Sequence, residues 1–164
     1  MKKFLAMLMA VMMVLSLVTV PVMAETPAAN DPRLSTAPKT GTAAAPADAA
    51  NLNEALNVAG GTLTFTSEGD HPWIVDGDAA KSTNVNVANS TSTVSTTVTA
   101  AAGDILQFDF MSFGEGAGDY VWDGLHLTVD GTEVMKWSRV ETWTTYAVEL
   151  TAGEHTVAWS YQKD

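Results

Sequence analysis

Apolar and polar residues alternate with a period of two along much of the second half of the chain. The alternation is clearest at residues 105–110, 125–129 and 157–162. A period of two gives a strand one buried face and one wetter face, which is typical of antiparallel sheets. Residues 91–99 are rich in Ser, Thr and Val, and such β-branched side chains favour strand over helix. The pattern therefore predicts an all-β domain.

Turn sequences that contain glycine separate these runs at short intervals. Asp130-Gly131 stands between two alternating runs, which is a strong signal for a β-hairpin. Further turn sequences occur at residues 102–104 and 151–154. Several short strands with close turns and no long helix predict an antiparallel β-sandwich, formed by residues 51–164.

The first 24 residues have the layout of a secretory signal peptide. Lys2 and Lys3 precede an apolar run over residues 4–20, and Ala24 supplies the small residue expected at a cleavage site. The alternative is a transmembrane anchor, but the run is at the short limit for a helix that spans a bilayer. We therefore predict a signal helix over residues 1–24 that is cleaved after Ala24. The protein would then be secreted or held at the cell surface, with no insertion in the membrane.

Residues 25–50 differ in composition from the segments on either side. Ala, Pro and Thr dominate this stretch, and Leu34 is its only large aliphatic residue. Such a stretch cannot bury enough apolar surface to offset the entropy of the chain, so we predict a disordered linker. A short helical turn is expected at residues 51–58, where the folded domain begins, and Gly60-Gly61 would end it.

Composition and charge exclude several functions. The chain has 164 residues, a formal net charge of −11 and no cysteine. Without cysteine there is no disulfide scaffold, no thiol nucleophile and no cysteine-ligated metal. The excess of acidic residues argues against binding nucleic acid or anionic lipid, because both require a basic surface.

Several short motifs follow one another in a characteristic order over residues 58–164. They are Gly-Gly-Thr-Leu-x-Phe, Asp-x-Pro-Trp, Ala-Gly-Asp-x-Leu-x-Phe-Asp-Phe, Val-Asp-Gly, Trp-x-x-Tyr and Leu-x-Ala-Gly-x-His-Thr-x-x-Trp-x-Tyr-x-Lys-Asp. In this order the chain resembles the jelly-roll modules of bacterial surface proteins related to the MAM and cleaved-adhesin (concanavalin-like) domains. The resemblance implies an adhesin-like recognition function and structural calcium.

The resemblance also implies that a strand is missing. Modules of this kind continue past the last motif with one more strand, whereas this sequence stops at Asp164. We therefore expect one sheet to show an unpaired position. Such an open edge would be a site of aggregation or of strand addition by another chain.

Exposed aromatic side chains are the expected ligand contacts, because pyranose rings stack on Trp and Tyr. Trp159 and Tyr161 follow the alternation of the core, whereas three other tryptophans are not explained by it. The predicted ligand-binding residues are Trp73, Trp122, Trp137 and Arg139. Packing in the core is the alternative for each of the three tryptophans.

Two acidic loops offer oxygen ligands for calcium. The predicted ligands are Asp70, Asp76 and Asp78 in the first loop and Glu115, Asp119 and Asp123 in the second. The alternative is that these are turn residues on an acidic surface, since neither loop has the spacing of an EF-hand. Neither loop has the arrangement of two carboxylates on one strand that glycosidases with sandwich folds use.

These observations together predict a secreted, non-catalytic recognition module of a bacterial surface protein. Its ligand would be a glycan or a host or matrix protein, with calcium as a structural cofactor. One alternative is a structural spacer, or a fragment of a larger surface protein, with no ligand of its own. The remote alternative is a glycoside hydrolase.

Overall fold

The structure consists mainly of antiparallel strands. The computed structural model describes residues 12–18, 49–57, 61–117 and 120–164. Within these ranges a short helix, α1, spans Leu52–Leu56. The strands are β1 (Met12–Val18), β2 (Phe65–Thr66), β3 (Ile74–Asp76), β4 (Ala79–Lys81), β5 (Ser90–Ala100), β6 (Ile105–Phe113), β7 (Gly116–Ala117), β8 (Tyr120–Val121), β9 (Gly124–Val129), β10 (Thr132–Trp137), β11 (Arg139–Glu149) and β12 (Gly153–Lys163).

The described strands form two five-stranded sheets and one small hairpin. Sheet A has the order β11-β6-β1-β4-β3, and sheet B has the order β10-β9-β12-β5-β2. β7 pairs with β8 in a separate two-stranded sheet. Every pairing among these strands is antiparallel, which confirms the predicted antiparallel β class.

Aromatic side chains from both sheets meet in one core. The ring centroid of Phe108, in β6, lies 5.4 Å from that of Trp159, in β12, with the rings nearly edge to face. Phe108 also lies 6.2 Å from Trp137, in β10, in a T-shaped contact. Such ring pairs contribute about 0.5–1.5 kcal/mol beyond the burial of their area. β6 alternates buried and half-buried positions along its whole length, as the sequence predicts.

Residues 12–18, within the predicted signal segment, form a strand, where sequence analysis expects a helix. Met12–Val18 form β1, which lies in sheet A between β6 and β4. β1 pairs with β6 at seven successive positions, from Met12 opposite Met111 to Val18 opposite Ile105. A short apolar run suits a strand or a buried helix equally by its periodicity, so a partner strand decides between them. The rest of the leader and residues 25–48 of the linker lie outside the described residues.

Sequence analysis expects an unpaired position in one sheet. In sheet A, the position between β6 and β4 is filled by β1. β1 stands between the β11–β6 pair and the β4–β3 pair and is hydrogen-bonded to both β6 and β4. In the strand order it is the link that joins the two pairs. The sheet is therefore continuous in the whole chain because residues 12–18 belong to it.

A capped helical turn begins the domain, as predicted for residues 51–58. The Asn51 side chain accepts the N–H of Glu54 at 3.1 Å and donates to the Glu54 carboxylate at 2.9 Å. This satisfies an N–H group of the first turn that has no partner within the helix. The Asn57 side chain then donates to the carbonyl of Leu63 at 2.8 Å and accepts its N–H at 3.1 Å. In the described part of the chain, no helix has the length and apolar character needed to cross a membrane.

Candidate functional site

Two of the predicted ligand-binding tryptophans are core residues. Trp73 is 2% exposed, and its indole N–H donates to the carbonyl of Ser92 at 3.0 Å. Trp137 is also buried, with its ring centroid 4.4 Å from that of Phe110 and 4.9 Å from that of Tyr146. The prediction that these two side chains are exposed is therefore wrong. A position beside a proline or a turn does not show which way a side chain faces once the chain has folded back.

Trp122 is exposed, as predicted, and it has an aromatic neighbour that sequence analysis missed. Trp122 is 48% exposed and Tyr120 is 73% exposed. Val121, between them, is half-buried, so the two exposed rings occupy alternate positions of one segment. β8 ends at Val121, and Trp122 follows it in a bend. The spacing Tyr-x-Trp after a glycine-rich loop is thus the signal that could have identified Tyr120.

Backbone hydrogen bonds hold these two aromatic residues in place. We call residues 115–123 the aromatic hairpin; it contains β7 and β8, and residues 118–119 lie outside the description. The N–H of Trp122 donates to the carbonyl of Glu115 at 2.9 Å. The N–H of Glu115 donates to the carbonyl of Asp123 at 3.0 Å. The hairpin is therefore closed at its base by main-chain bonds.

Glycines let this base pack closely against the end of β10. A Cβ atom on Gly114 would lie 2.0 Å from the carbonyl oxygen of Asp123 and 2.5 Å from that of Ser138. A Cβ atom on Gly124 would lie 2.3 Å from the carbonyl oxygen of Trp137. These neighbours are backbone atoms, which cannot rotate away as a side chain would. The close packing of the aromatic hairpin against the end of β10 thus requires glycine at the position before it, Gly114, and at the position after it, Gly124.

An ion pair joins the base of the aromatic hairpin to the end of β12. The Asp123 carboxylate accepts hydrogen bonds from the Lys163 ammonium group and, at 3.1 Å, from the N–H of Asp164. Both side chains of the ion pair are largely buried. Nearby, the Tyr161 hydroxyl donates to the carbonyl of Phe113 at 2.5 Å. Burial, together with the charge of Asp123, raises the pKa of Tyr161 to about 12, so this hydroxyl stays protonated.

Arg139, the fourth predicted ligand contact, lies near the same hairpin. It begins β11 and is paired in register with Phe113, the residue before Gly114. Its side chain is 71% exposed, with Nε 3.5 Å from Oε1 of Glu141. An exposed ion pair contributes about 0–1 kcal/mol, so it leaves the guanidinium group able to bind a ligand. The structure thus brings Arg139 and Trp122 to one end of the domain.

Two of the predicted calcium ligands form ion pairs with lysine, and the calcium sites stay a prediction. Asp76 accepts a hydrogen bond from Nζ of Lys81 at 2.9 Å, and Asp123 pairs with Lys163. The lysine contacts one carboxylate oxygen of Asp76, whereas both oxygens of Asp123 accept hydrogen bonds and would have to exchange these partners for calcium. Within the described ranges, no three His, Asp or Glu side chains come together in a way that could hold a metal ion. Asp119 lies outside these ranges. The other described candidates are Asp70, Asp78 and Glu115.

Two histidines each pair with a separate carboxylate. Nδ1 of His126 lies 2.7 Å from Oε2 of Glu133, and Nδ1 of His155 lies 2.7 Å from Oδ2 of Asp130. Nε2 of His155 lies 3.0 Å from the carbonyl oxygen of Thr151, so both of its ring nitrogens face acceptors. The hydrogen bond to Asp130 raises the pKa of His155, and the same bond lowers the pKa of Asp130. This pair ties the predicted Asp130 turn to β12.

The His155 pair makes the stability of the fold depend on pH. Because the pKa of His155 is raised on folding, its contribution is complete below its unfolded pKa and is lost as the pH rises through the folded value. We expect His155→Gln to lower the free energy of unfolding more at about pH 5 than at about pH 9. Urea titrations across this range measure the difference, with His71→Gln as a control outside both pairs. An equal loss at both pH values would contradict the assignment.

An open depression of about 400 Å³ lies between α1 and β2. Phe65 lines it together with the polar residues Asn51, Asn53 and Glu68. Glu68 supplies the one carboxylate among these lining residues, whereas glycoside hydrolysis uses two. The depression therefore gives no support to the hydrolase alternative.

Comparisons with known proteins find no match for this chain. No protein-family model matches it, and neither the curated proteins nor the solved structures contain a match. The resemblance to MAM and cleaved-adhesin modules receives no support from these comparisons and stays a hypothesis. The function must accordingly be argued from the exposed groups of the site itself.

Proposed function

We propose that this protein is a secreted, non-catalytic recognition module that binds an extracellular glycan through the aromatic hairpin. In this proposal the two antiparallel sheets form a β-sandwich of the jelly-roll type, and the leader is an export signal. The exposure of Tyr120 and Trp122 carries the proposal. These two rings are exposed at the surface of a domain that buries Trp73, Trp137 and Trp159.

The groups around the two rings suit a sugar ligand. A pyranose ring has apolar faces that stack on aromatic rings, and its hydroxyl groups form hydrogen bonds with charged side chains. Glu115, within the aromatic hairpin, and Arg139, beside it, both have exposed side chains. Because main-chain bonds and the close approach at Gly114 already order the hairpin, little further conformational entropy would be lost on binding.

Trp122→Ala is expected to weaken glycan binding by roughly tenfold, which corresponds to about 1.4 kcal/mol. The physical reason is the loss of one of the two stacking surfaces, and Tyr120→Ala should have an effect in the same direction. A glycan array with and without Ca²⁺ identifies the ligand, and calorimetric titration then gives the dissociation constants. Ile74→Ala is the matched control, since it removes an exposed apolar side chain from β3, away from the hairpin.

Other outcomes of this experiment distinguish the alternatives. An array that stays blank with and without Ca²⁺ would contradict the glycan proposal and favour the spacer hypothesis. If a host or matrix protein binds instead, and Trp122→Ala weakens that complex, the site is right and the ligand class is wrong. Binding that requires Ca²⁺ and is abolished by Asp119→Ala would support the predicted calcium site in the second acidic loop.

A further inference from the structure

The place that β1 occupies in sheet A has the properties of a strand-binding site. We call this place, between β6 and β4, the strand slot. We propose that the strand slot binds an extended, apolar segment of a partner protein once the leader has been removed. This inference rests on the proposed export function, because cleavage after Ala24 is the step that would take Met12–Val18 out of the sheet.

The strand slot lies inside the sheet and not at its edge. β1 pairs with β6 at every position from Met12 to Val18, and with β4 through Met13 opposite Ala80. Removal of β1 would leave the backbone N–H and C=O groups on this side of β6 without partners. A row of unpaired backbone groups is a template for another strand, so an emptied slot favours a replacement strand.

β6 lacks the features that protect natural edge strands. Such strands usually carry lysine, proline or a bulge, which discourage pairing with another chain. The sequence of β6 is ILQFDFMSF, and Asp109 is its one charged residue. The Asp109 carboxylate accepts a hydrogen bond from the Thr145 hydroxyl of β11, on the opposite side from the slot. An uncovered β6 would thus present an unprotected edge.

The walls of the strand slot are apolar and belong to the core. Leu106, Phe108 and Phe110 of β6 are at most 1% exposed. On the other side, Ala79 and Ala80 of β4 are fully buried. Loss of a strand between these walls would bring water to side chains that are buried in the whole chain, which adds a hydrophobic cost to the loss of hydrogen bonds.

The segment that fills the slot in the whole chain defines the chemistry of the partner. Its register places Met13, Leu15 and Leu17 opposite the buried residues Phe110, Phe108 and Leu106 of β6. The segment contains no charge and no proline. The partner is therefore expected to offer about seven residues in an extended conformation, with large aliphatic side chains at alternate positions, antiparallel to β6.

The processed chain does not contain an equivalent segment in its linker. Residues 25–50 have Leu34 as their only large aliphatic residue. A proline cannot donate to the ladder of a central strand. The prolines of this segment are Pro27, Pro32, Pro38 and Pro46. A second processed copy would lack residues 12–18 as well, so it could not supply this segment either.

The leader would then act as a temporary occupant of its own binding site. While residues 12–18 are attached, the slot is filled and a partner strand is excluded. After cleavage the slot becomes available, so partner binding is coupled to export. The switch needs no conformational change other than the loss of β1, because β6 and β4 remain held by β11 and β3.

The first experiment tests the occupancy of the slot in the whole chain. The sequence has no cysteine, so an engineered pair reports on one contact. Ser16→Cys combined with Gln107→Cys places two thiols at positions that are opposite in register, and a disulfide should form on oxidation. Ser16→Cys combined with Thr97→Cys, on β5 of sheet B, is the control and should not form one. Equal cross-linking of both pairs would overturn the assignment of the slot.

The second experiment opens the slot after folding. A protease site inserted within residues 25–48 of the whole chain allows the leader to be cut from the folded protein, and gel filtration in mild urea then separates the released leader peptide from the folded chain. The probe is a fluorescent peptide of residues 10–20 with added terminal lysines, and the control is the same peptide with Leu15→Pro. We expect the cut chain to bind the probe at least tenfold more tightly than the control peptide, and the uncut chain not to bind it.

Each outcome of the second experiment bears on the proposal. A cut chain that stays folded and monomeric without binding the probe would overturn it, and so would a cut chain that dimerises instead. An exported protein that keeps residues 12–18, shown by N-terminal sequencing, would mean that the slot never opens. Glycan binding is measured on the same samples, so failure of the strand slot and failure of the aromatic hairpin are separate results.

Discussion

Trp159→Ala is expected to lower the free energy of unfolding by about 3–5 kcal/mol, the usual cost of truncating a large buried aromatic residue. The Trp159 side chain is fully buried and packs against Phe108 of sheet A and Phe65 of sheet B. Together with Tyr161, it is therefore a side chain through which β12 reaches the opposite sheet. Urea titration measures the loss, and an unchanged m value would show that the unfolding transition stays two-state.

Trp159→Phe is the matched variant for this prediction. The indole N–H of Trp159 is buried and has no hydrogen-bond partner among the described residues. Phenylalanine keeps an aromatic ring in the core and removes this unpaired donor, whose burial costs about 1–3 kcal/mol. We expect Trp159→Phe to cost less than half as much as Trp159→Ala. Equal losses for the two variants would show that the unpaired N–H has little effect on stability.

Lys163→Met is expected to cost about 3 kcal/mol, because it leaves the Asp123 carboxylate buried without its cation. Both side chains are mostly shielded from water, at 14% and 10% exposed, so screening reduces this value only slightly. Asp123 also accepts a hydrogen bond from the N–H of Asp164, and this bond remains in the Lys163→Met variant. Since Trp122 precedes Asp123, we expect glycan affinity to fall together with stability.

The double variant Asp123→Asn with Lys163→Met is the control for the ion pair. Replacing both charges removes the uncompensated carboxylate, so the double variant should be more stable than Lys163→Met alone. Urea titration of the four proteins in this cycle gives the coupling energy. A coupling near zero would mean that water screens the pair despite its burial.

Local patterns predicted the regular strands well. Alternation identified β6 and β12, because a strand with one face in the core must place every second residue there. The Asp130-Gly131 turn was also predicted correctly. Both residues adopt positive φ angles, 52° and 76°, as a tight hairpin requires. These features depend on residues that are close in sequence.

The site was predicted only in part. Of the candidate residues, Trp122 and Arg139 are exposed, whereas Trp73 and Trp137 are buried, and the exposed Tyr120 was not among the candidates. For tryptophans outside the alternating runs, the neighbouring sequence does not distinguish an exposed side chain from a buried one. Their exposure depends on contacts with distant residues, such as the hydrogen bond from Trp73 to Ser92 and the packing of Trp137 on Phe110.

The sequence by itself determined the antiparallel β class and the main turns, because both follow from local composition and periodicity. The tertiary structure alone decided that Met12–Val18 form a strand, since an apolar run takes its conformation from the partner it meets, here β6. It also decided which aromatic side chains are exposed. Burial is a property of the packed sheets, and no single segment contains that information.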